Sequence, residues 1–400
     1  MECTGAWLTQ ILHNPRFRDS TEPPSVVPPA KRTQVCFDII MASALVSRQK
    51  SNGNRPFPTV IFGAISAFAL YTLIVRTALP INPEFHEHCP VSPSYMASAL
   101  VPNALPYSGN VGVDTALCHL VTFFHVSFTA PPGQGWKLTV NLLASIAGPF
   151  FILYMEAARA GCPSVLAFPT AVGLLCQGMT AAAVLPLYWI ALIACGSPGG
   201  IDCAVAEGLG FGLVVGYVVP TVAMGMGYEN RYIVAAWQGF PLFIGVARWA
   251  YSLARPPPKA GVSARRTRRG YAVTQGILAS IALVSGASHL YTMTMSTAGA
   301  FLETFRSVYL PPYPRYPYTH DTLGSAVRLL LAWDGLFTWG GALAAGAWNF
   351  PAADLARTCL VLPPVFIILG PGSAVMGVWM WRETILKQNS VGFEVPRRTE

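Results

Sequence analysis

An aspartate inside a membrane-length apolar run is the residue of this sequence best placed to do chemistry. Residues 328–350 read RLLLAWDGLFTWGGALAAGAWNF, and 329–348 are apolar and long enough to cross a hydrocarbon core as a helix. Asp334 stands about a turn and a half inside the polar end of that run. On insertion scales a charged Asp at such depth costs roughly 2.5–3.5 kcal/mol, so intramembrane carboxyls are rare and usually functional. Desolvation favours the neutral carboxyl, which is a proton donor. Trp333, Phe337 and Trp339 flank it, while Gly335, Gly340 and Gly341 let a helix or ligand approach closely. The alternative is an aspartate that hydrogen-bonds a neighbouring helix for packing.

Other chemistries lack their signatures. Neither G-x-S-x-G nor H-E-x-x-H occurs, and no phosphate-cradling glycine loop is present. His119, His125 and His289 are too few and too irregularly spaced for haem ligation. All seven aspartates are isolated, which excludes the D-D-x-x-D and D-x-D-D motifs of diphosphate-ionising and related terpene synthases. The nine cysteines show no C-x-x-C and no metal spacing, so most are expected to be small buried apolar residues. His86, His88 and Cys89 cluster, but their spacing matches no common metal site and reads as a solvated loop. No metal and no cofactor is expected. What remains is an acid in an aromatic cavity, suited to protonating an olefin or epoxide of a long isoprenoid. Aromatic faces stabilise the resulting cation, and exclusion of water protects it from capture. His289, Glu156 or a trapped water would remove the final proton.

The elements that must position such a site are transmembrane helices. The 400 residues are 53% hydrophobic and 11% charged, against about a quarter charged in soluble domains. The fold class is all-α, a polytopic transmembrane bundle. The net charge of +8 lies in a few loops without an interleaved aromatic face, which fits membrane orientation and not nucleic-acid binding. Residues 1–55 form a polar, basic, Pro-rich tail expected to be disordered, with a short interfacial helix at 35–46. Residues 56–382 form the membrane domain and 383–400 a polar C-terminal tail. Spans are expected at 58–81, 138–158, 163–193, 205–226, 232–253, 271–297, 329–348 and 360–381. Residues 114–131 are short for a crossing; counting them puts the tail and the basic 255–269 loop on one side, for nine spans rather than eight. If 163–193 crosses once, alternation brings Glu156, Trp237, Gln238, His289, Tyr291 and Asp334 to one leaflet, with Gln177 reaching them from midway. Such convergence is what a pocket between helices requires. Snorkelling helix ends would give the same pattern.

The segments LCQGMTAAAVLPLYW (175–189), VVGYVVPTVAMGM (214–226), AAWQGFPL (235–242), SGASHLYTM (285–293) and LLLAWDGLFTWGGALAAGAW (329–348) together resemble the fungal membrane-bound terpene cyclases of meroterpenoid pathways. The likeness runs in order over residues 120–381 and is similar to the ascofuranone- and macrophorin-type cyclases. It implies metal-independent cyclisation of a farnesyl-type chain on an aromatic or quinone head group, started by protonation. Asp334 would be the acid, with Glu156 and His289 as further catalytic groups. Trp237, Gln238, Trp333, Phe337, Tyr291 and Gln177 would contact substrate. Implied partners are the prenylated substrate, membrane lipid and other enzymes of the same pathway, at the endoplasmic reticulum. The long basic tail and the Arg265–Arg269 cluster depart from the family pattern. A transporter for the same hydrophobic product and a non-catalytic membrane component are the competing readings, although no internal repeat of the transporter kind stands out.

Overall fold

The structure is a computed structural model, and it describes residues 57–78, 89, 107–129, 134–196, 199–256, 264–294, 301–311, 323–348 and 350–391. The basic N-terminal tail, His86 and His88 lie outside these residues. Among the described residues the regular structure is helical, without strands.

The chain enters through α1 (Phe57–Leu70), which continues as a π-helical segment, Tyr71–Ala78. Helix α2 (Val111–Thr129) follows, tied by a Cys118–Cys89 disulfide to the connection before it. Cys89 is buried and bonded, which corrects its reading as part of a solvated loop. Spacing did not reveal the pair because the partners are 29 residues apart with no motif between them. Helix α3 (Gln134–Ala157) is the central post, buried along most of its length.

The next segment changes the topology expected from sequence. Residues 163–193 are not one span but two helices, α4 (Pro169–Met179) and α5 (Ala181–Cys195), broken at Thr180. Thr180 has φ 73°, an uncommon conformation for a residue with a Cβ. The Ala160 N–H donates to the Gly200 carbonyl at 3.2 Å, so the chain returns to where it left. The α4–α5 pair is therefore a re-entrant hairpin. One crossing fewer reverses the alternation downstream, and the expected convergence on one leaflet fails for Glu156.

Helix α6 (Cys203–Leu213) passes through a π-helical turn, Val214–Val218, into α7 (Val219–Met226). A Cβ on Gly216 in that turn would come within 2.2 Å of the Ile244 backbone nitrogen, so only glycine permits this approach. Helices α8 (Arg231–Trp237) and α9 (Phe240–Ala254) are one apolar stretch bent by 64°. Helix α10 (Ala264–Thr294) takes Arg265 to Arg269 into its first turns, where a loop was expected. Helix α11 (Phe301–Tyr309) is short, and α12 (Leu323–Ala347) carries Asp334.

The last helix, α13 (Ala352–Val391), continues past the expected boundary at 383 and is broken at Gly370 (φ 82°, ψ 168°). Gly346 packs on Val378 and Trp379. The six residues from Gly346 to Ala352 reach at most about 22 Å, whereas a straight helix from Ala352 to Val378 would span about 39 Å. The half before Gly370 must therefore fold back beside the half after it. Pro371 cannot donate to the Ile367 carbonyl, and His289 Nε2 takes that place at 3.0 Å.

By length and composition six helices can cross a membrane, or seven if the bent α8–α9 pair is one span. The expected eight or nine are not reproduced by this count. Helix α12 is not among the six because Asp334, tryptophans and glycines dilute its hydropathy.

Candidate active site

The π-helical segment after α1 and helices α2–α5, α8, α9 and α12 line a cavity of about 230 Å³. Its walls are apolar or aromatic, including Phe123, Phe124, Phe150, Trp237 and Phe240, with Cys176, Gln177, Thr180 and Asp334 as the other described lining groups bearing polar side-chain atoms beside the Trp237 indole. Asp334 is the one carboxyl among them. Tryptophan 237 meets Phe124 edge-on at 4.9 Å and Phe240 at 5.0 Å, and its Nε1–H donates to Thr221 Oγ1 at 2.9 Å. Tyr217 fixes this corner from the π-helical turn: its hydroxyl donates to the Leu143 carbonyl at 2.6 Å and its ring meets Phe240 at 4.9 Å. A helix break places each wall. The bend after Trp237 aims that ring inward, and the Thr180 break brings a helix start to the cavity.

Asp334 Oδ1 accepts from the Ala182 N–H at 2.8 Å. Ala182 is in the first turn of α5, whose own cap residue, Thr180, makes no side-chain capping bond. Asp334 therefore caps α5 from another helix, satisfying a donor that would otherwise be orphaned in hydrocarbon. The α5 N-terminus also places partial positive charge beside the carboxyl. The packing reading of Asp334 is thus met by its cap on α5, and the same carboxyl lines the cavity.

The other residues singled out from sequence divide. Gln177 and Trp237 line the cavity. Gln238 is buried at the bend, where its Nε2 donates to the Val234 carbonyl at 3.2 Å and its Oε1 has no partner among the described residues; it is not among the lining residues. Trp333 and Phe337 stack on each other at 5.3 Å, and Phe337 meets Phe68 at 5.6 Å, so both face α1 and not the cavity. Tyr291 is 45% exposed and lies against Trp136.

His289 is fully buried, and both ring nitrogens are occupied. Asn141 donates to the Tyr309 hydroxyl, and Tyr309 Oη lies 2.6 Å from His289 Nδ1. With Nε2–H committed to Ile367, the chain closes as amide to phenol to imidazole to carbonyl, and none of the three side chains is among the lining residues. Glu156 lies about 9 Å beyond the lining residue Phe150 along α3. It pairs with Arg159 and Arg382 at 2.9 Å, and Glu383 joins both arginines.

Thr180, Cys176, Phe123, Phe124, Phe150 and Phe240 line the cavity without having been selected from sequence. Aromatic residues inside apolar helices read alike whether they face a cavity, a neighbouring helix or lipid. Thr180 had one available signal: it separates two stretches that are each too short to cross a membrane.

Comparison with known proteins gives two matches. A family model described as the CtvD domain covers residues 92–387. The terpene cyclase ascI of Acremonium egyptiacum is 24% identical over 308 residues, covering 68% of this chain and 78% of that protein. No solved structure matches. The two matches agree with the resemblance drawn from the ordered motifs, and on the extent of the family match the chain belongs to the CtvD-domain family.

Proposed function

We propose that this protein is a membrane-bound terpene cyclase that closes rings on a prenylated, farnesyl-type meroterpenoid precursor. The observation that carries the reading is the placement of Asp334 as the sole carboxyl among the residues lining an aromatic cavity. Its proton adds to a terminal olefin or epoxide, leaving a carbocation that successive olefins attack to form C–C bonds. A proton lost at the end to a trapped water restores the balance, so the product of an olefin or epoxide start is an isomer of the substrate. The carboxylate left behind is stabilised by the Ala182 N–H and the α5 N-terminus. The faces of Trp237, Phe124 and Phe240 stabilise the passing cation, and Gln177 supplies a polar contact. Glu156 and His289 are not given the base role, because neither lines the cavity.

Two features support a sidedness. Arg159, Arg255, Arg266 and Arg382 belong to the end remote from the cavity, and basic ends favour the cytoplasm. The disulfide involves Cys118, two residues from the lining residue Leu120, and disulfides persist in oxidising compartments. Both support a cavity in the lumenal half of the endoplasmic reticulum membrane. Other enzymes of the pathway would deliver the substrate and consume the product.

A transporter reading draws on one observation: the α4–α5 and α8–α9 pairs are discontinuous helices whose breaks meet at the cavity. Supplying a linear prenylated precursor to microsomes containing the protein separates the two. Formation of an isomeric cyclic product supports the cyclase, whereas movement of unchanged precursor supports transport. Turnover in washed membranes should survive strong chelation, and specific restoration by magnesium would favour an ionisation mechanism instead.

A further inference from the structure

A second cavity, of about 450 Å³, lies between α4, α6 and α9. It is lined by Arg248, Arg255, Thr170, Ser252, Tyr154 and Trp249, among others. Its two guanidinium groups differ. Arg255 forms an ion pair with Glu207 at 2.8 Å, and Tyr251 donates to the same carboxylate at 3.0 Å. Arg248 has no carboxylate partner among the described residues, although it stands about 9 Å inside the end of an apolar helix. A cation at that depth is costly unless an anion or water meets it. The hydroxyls around it are partly committed: Tyr154 bonds to the Pro241 carbonyl, and Ser252 donates to the Trp249 carbonyl at 2.7 Å. The same helix presents Val246, Trp249 and Leu253 to the lipid side, each more than half exposed.

We propose that this cavity binds the phosphate of an anionic membrane phospholipid, with Arg248 as the principal ligand and the acyl chains along Val246 and Leu253. The guanidinium matches phosphate by paired N–H donors. Basic pockets between helices on the cytoplasmic side are suited to lipid head groups. Glu207 neutralises Arg255, so among the described lining residues the charge left for the phosphate is that of Arg248.

The test uses the full chain purified in detergent, with phosphatidic acid, phosphatidylcholine and inorganic pyrophosphate as separate probes. Native mass spectrometry should show phosphatidic acid retained at least tenfold more than phosphatidylcholine, and phosphatidic acid should raise the melting temperature. Arg248→Gln should abolish that preference and Arg248→Lys should keep part of it. Equal retention of the two lipids by the unaltered protein would overturn the proposal even if the Arg248→Gln variant failed to fold. So would an unchanged preference in a folded Arg248→Gln variant. A melting shift with pyrophosphate alone, matching that of phosphatidic acid, would overturn the lipid assignment in favour of a soluble phosphate.

Discussion

Two of the buried ionisable regions among the described residues differ in how completely their valences are used. At one end Glu156, Arg159, Arg382 and Glu383, all below 9% exposed, pair two acids with two bases, and Arg382 also lies over the Trp379 ring at 4.5 Å. Around the cavity a single carboxyl, Asp334, receives one backbone N–H and faces aromatic walls. The first region is closed on itself: each charge is compensated, and no group is left to meet a ligand. The second is open, because capping α5 uses only part of the carboxyl's capacity. Depth in the membrane alone therefore does not distinguish the two regions; unspent bonding capacity facing a cavity does, and that is what the proposed function draws on.

The comparison breaks first at Asp334. Asn caps a helix as well as Asp, so Asp334→Asn should fold normally while losing the proton, and turnover should fall by about 10²–10⁴-fold. Asp334→Glu keeps the acid but displaces it by one C–C bond, and should leave weak activity or misprotonated products. Isomer formation per unit of inserted protein measures both. Full turnover in the Asn variant would reduce Asp334 to its cap.

The closed region should respond in the opposite way. Glu156→Gln strips compensation from Arg159 and Arg382, and breaking a buried ion network costs about 3–5 kcal/mol. The amount of folded protein should drop steeply, while turnover per folded molecule stays near normal. Normal folding with lost turnover would make Glu156 part of the chemistry.

Two tryptophans sharpen the contrast at smaller cost. Trp237→Ala removes an aromatic face worth about 0.5–2 kcal/mol to a nearby cation, so product ratios or rate should change by roughly 2–30-fold. Trp333→Ala opens the α1–α12 interface and should lower folded protein without changing the products. Product analysis beside quantitative immunoblotting distinguishes them, and altered products from Trp333→Ala alone would move the cavity wall.

The smallest effect belongs to an ion pair at the membrane edge. Asp202 caps α6 through the Ala204 N–H at 2.9 Å and takes two bonds from Arg266, which hold its carboxyl below the usual carboxylate range. A depressed folded value stabilises above the unfolded pKa of about 3.9 and is lost as pH falls through the folded value. Asp202→Ala should cost about 0.5–2 kcal/mol through the cap. Asp202→Asn should keep the cap and flatten the acid limb of the melting temperature against pH. An acid limb identical to that of the unaltered protein would exclude this pair as its source.

The sequence by itself determined the helical membrane class and singled out Asp334 as the residue to look at. Apolar runs of membrane length leave helices as the means of satisfying the backbone, and a lone Asp in such a run is costly enough to stand out. It also determined Trp237 and Gln177 as residues of interest, because polar and aromatic groups interrupt otherwise aliphatic segments. What only tertiary structure decided was which of those residues meet. Hydropathy measures the amount of apolar surface and not the direction of the chain, so a 31-residue run that doubles back at Thr180 reads like one long crossing. That single reversal moved Glu156 to the other end of the bundle. His289 and Trp333 were likewise decided by their neighbours: the carbonyl left unpaired by Pro371 claims one, and the face of α1 covers the other. A side chain's chemistry is local to its residue type, but its availability depends on what distant segments have already bonded.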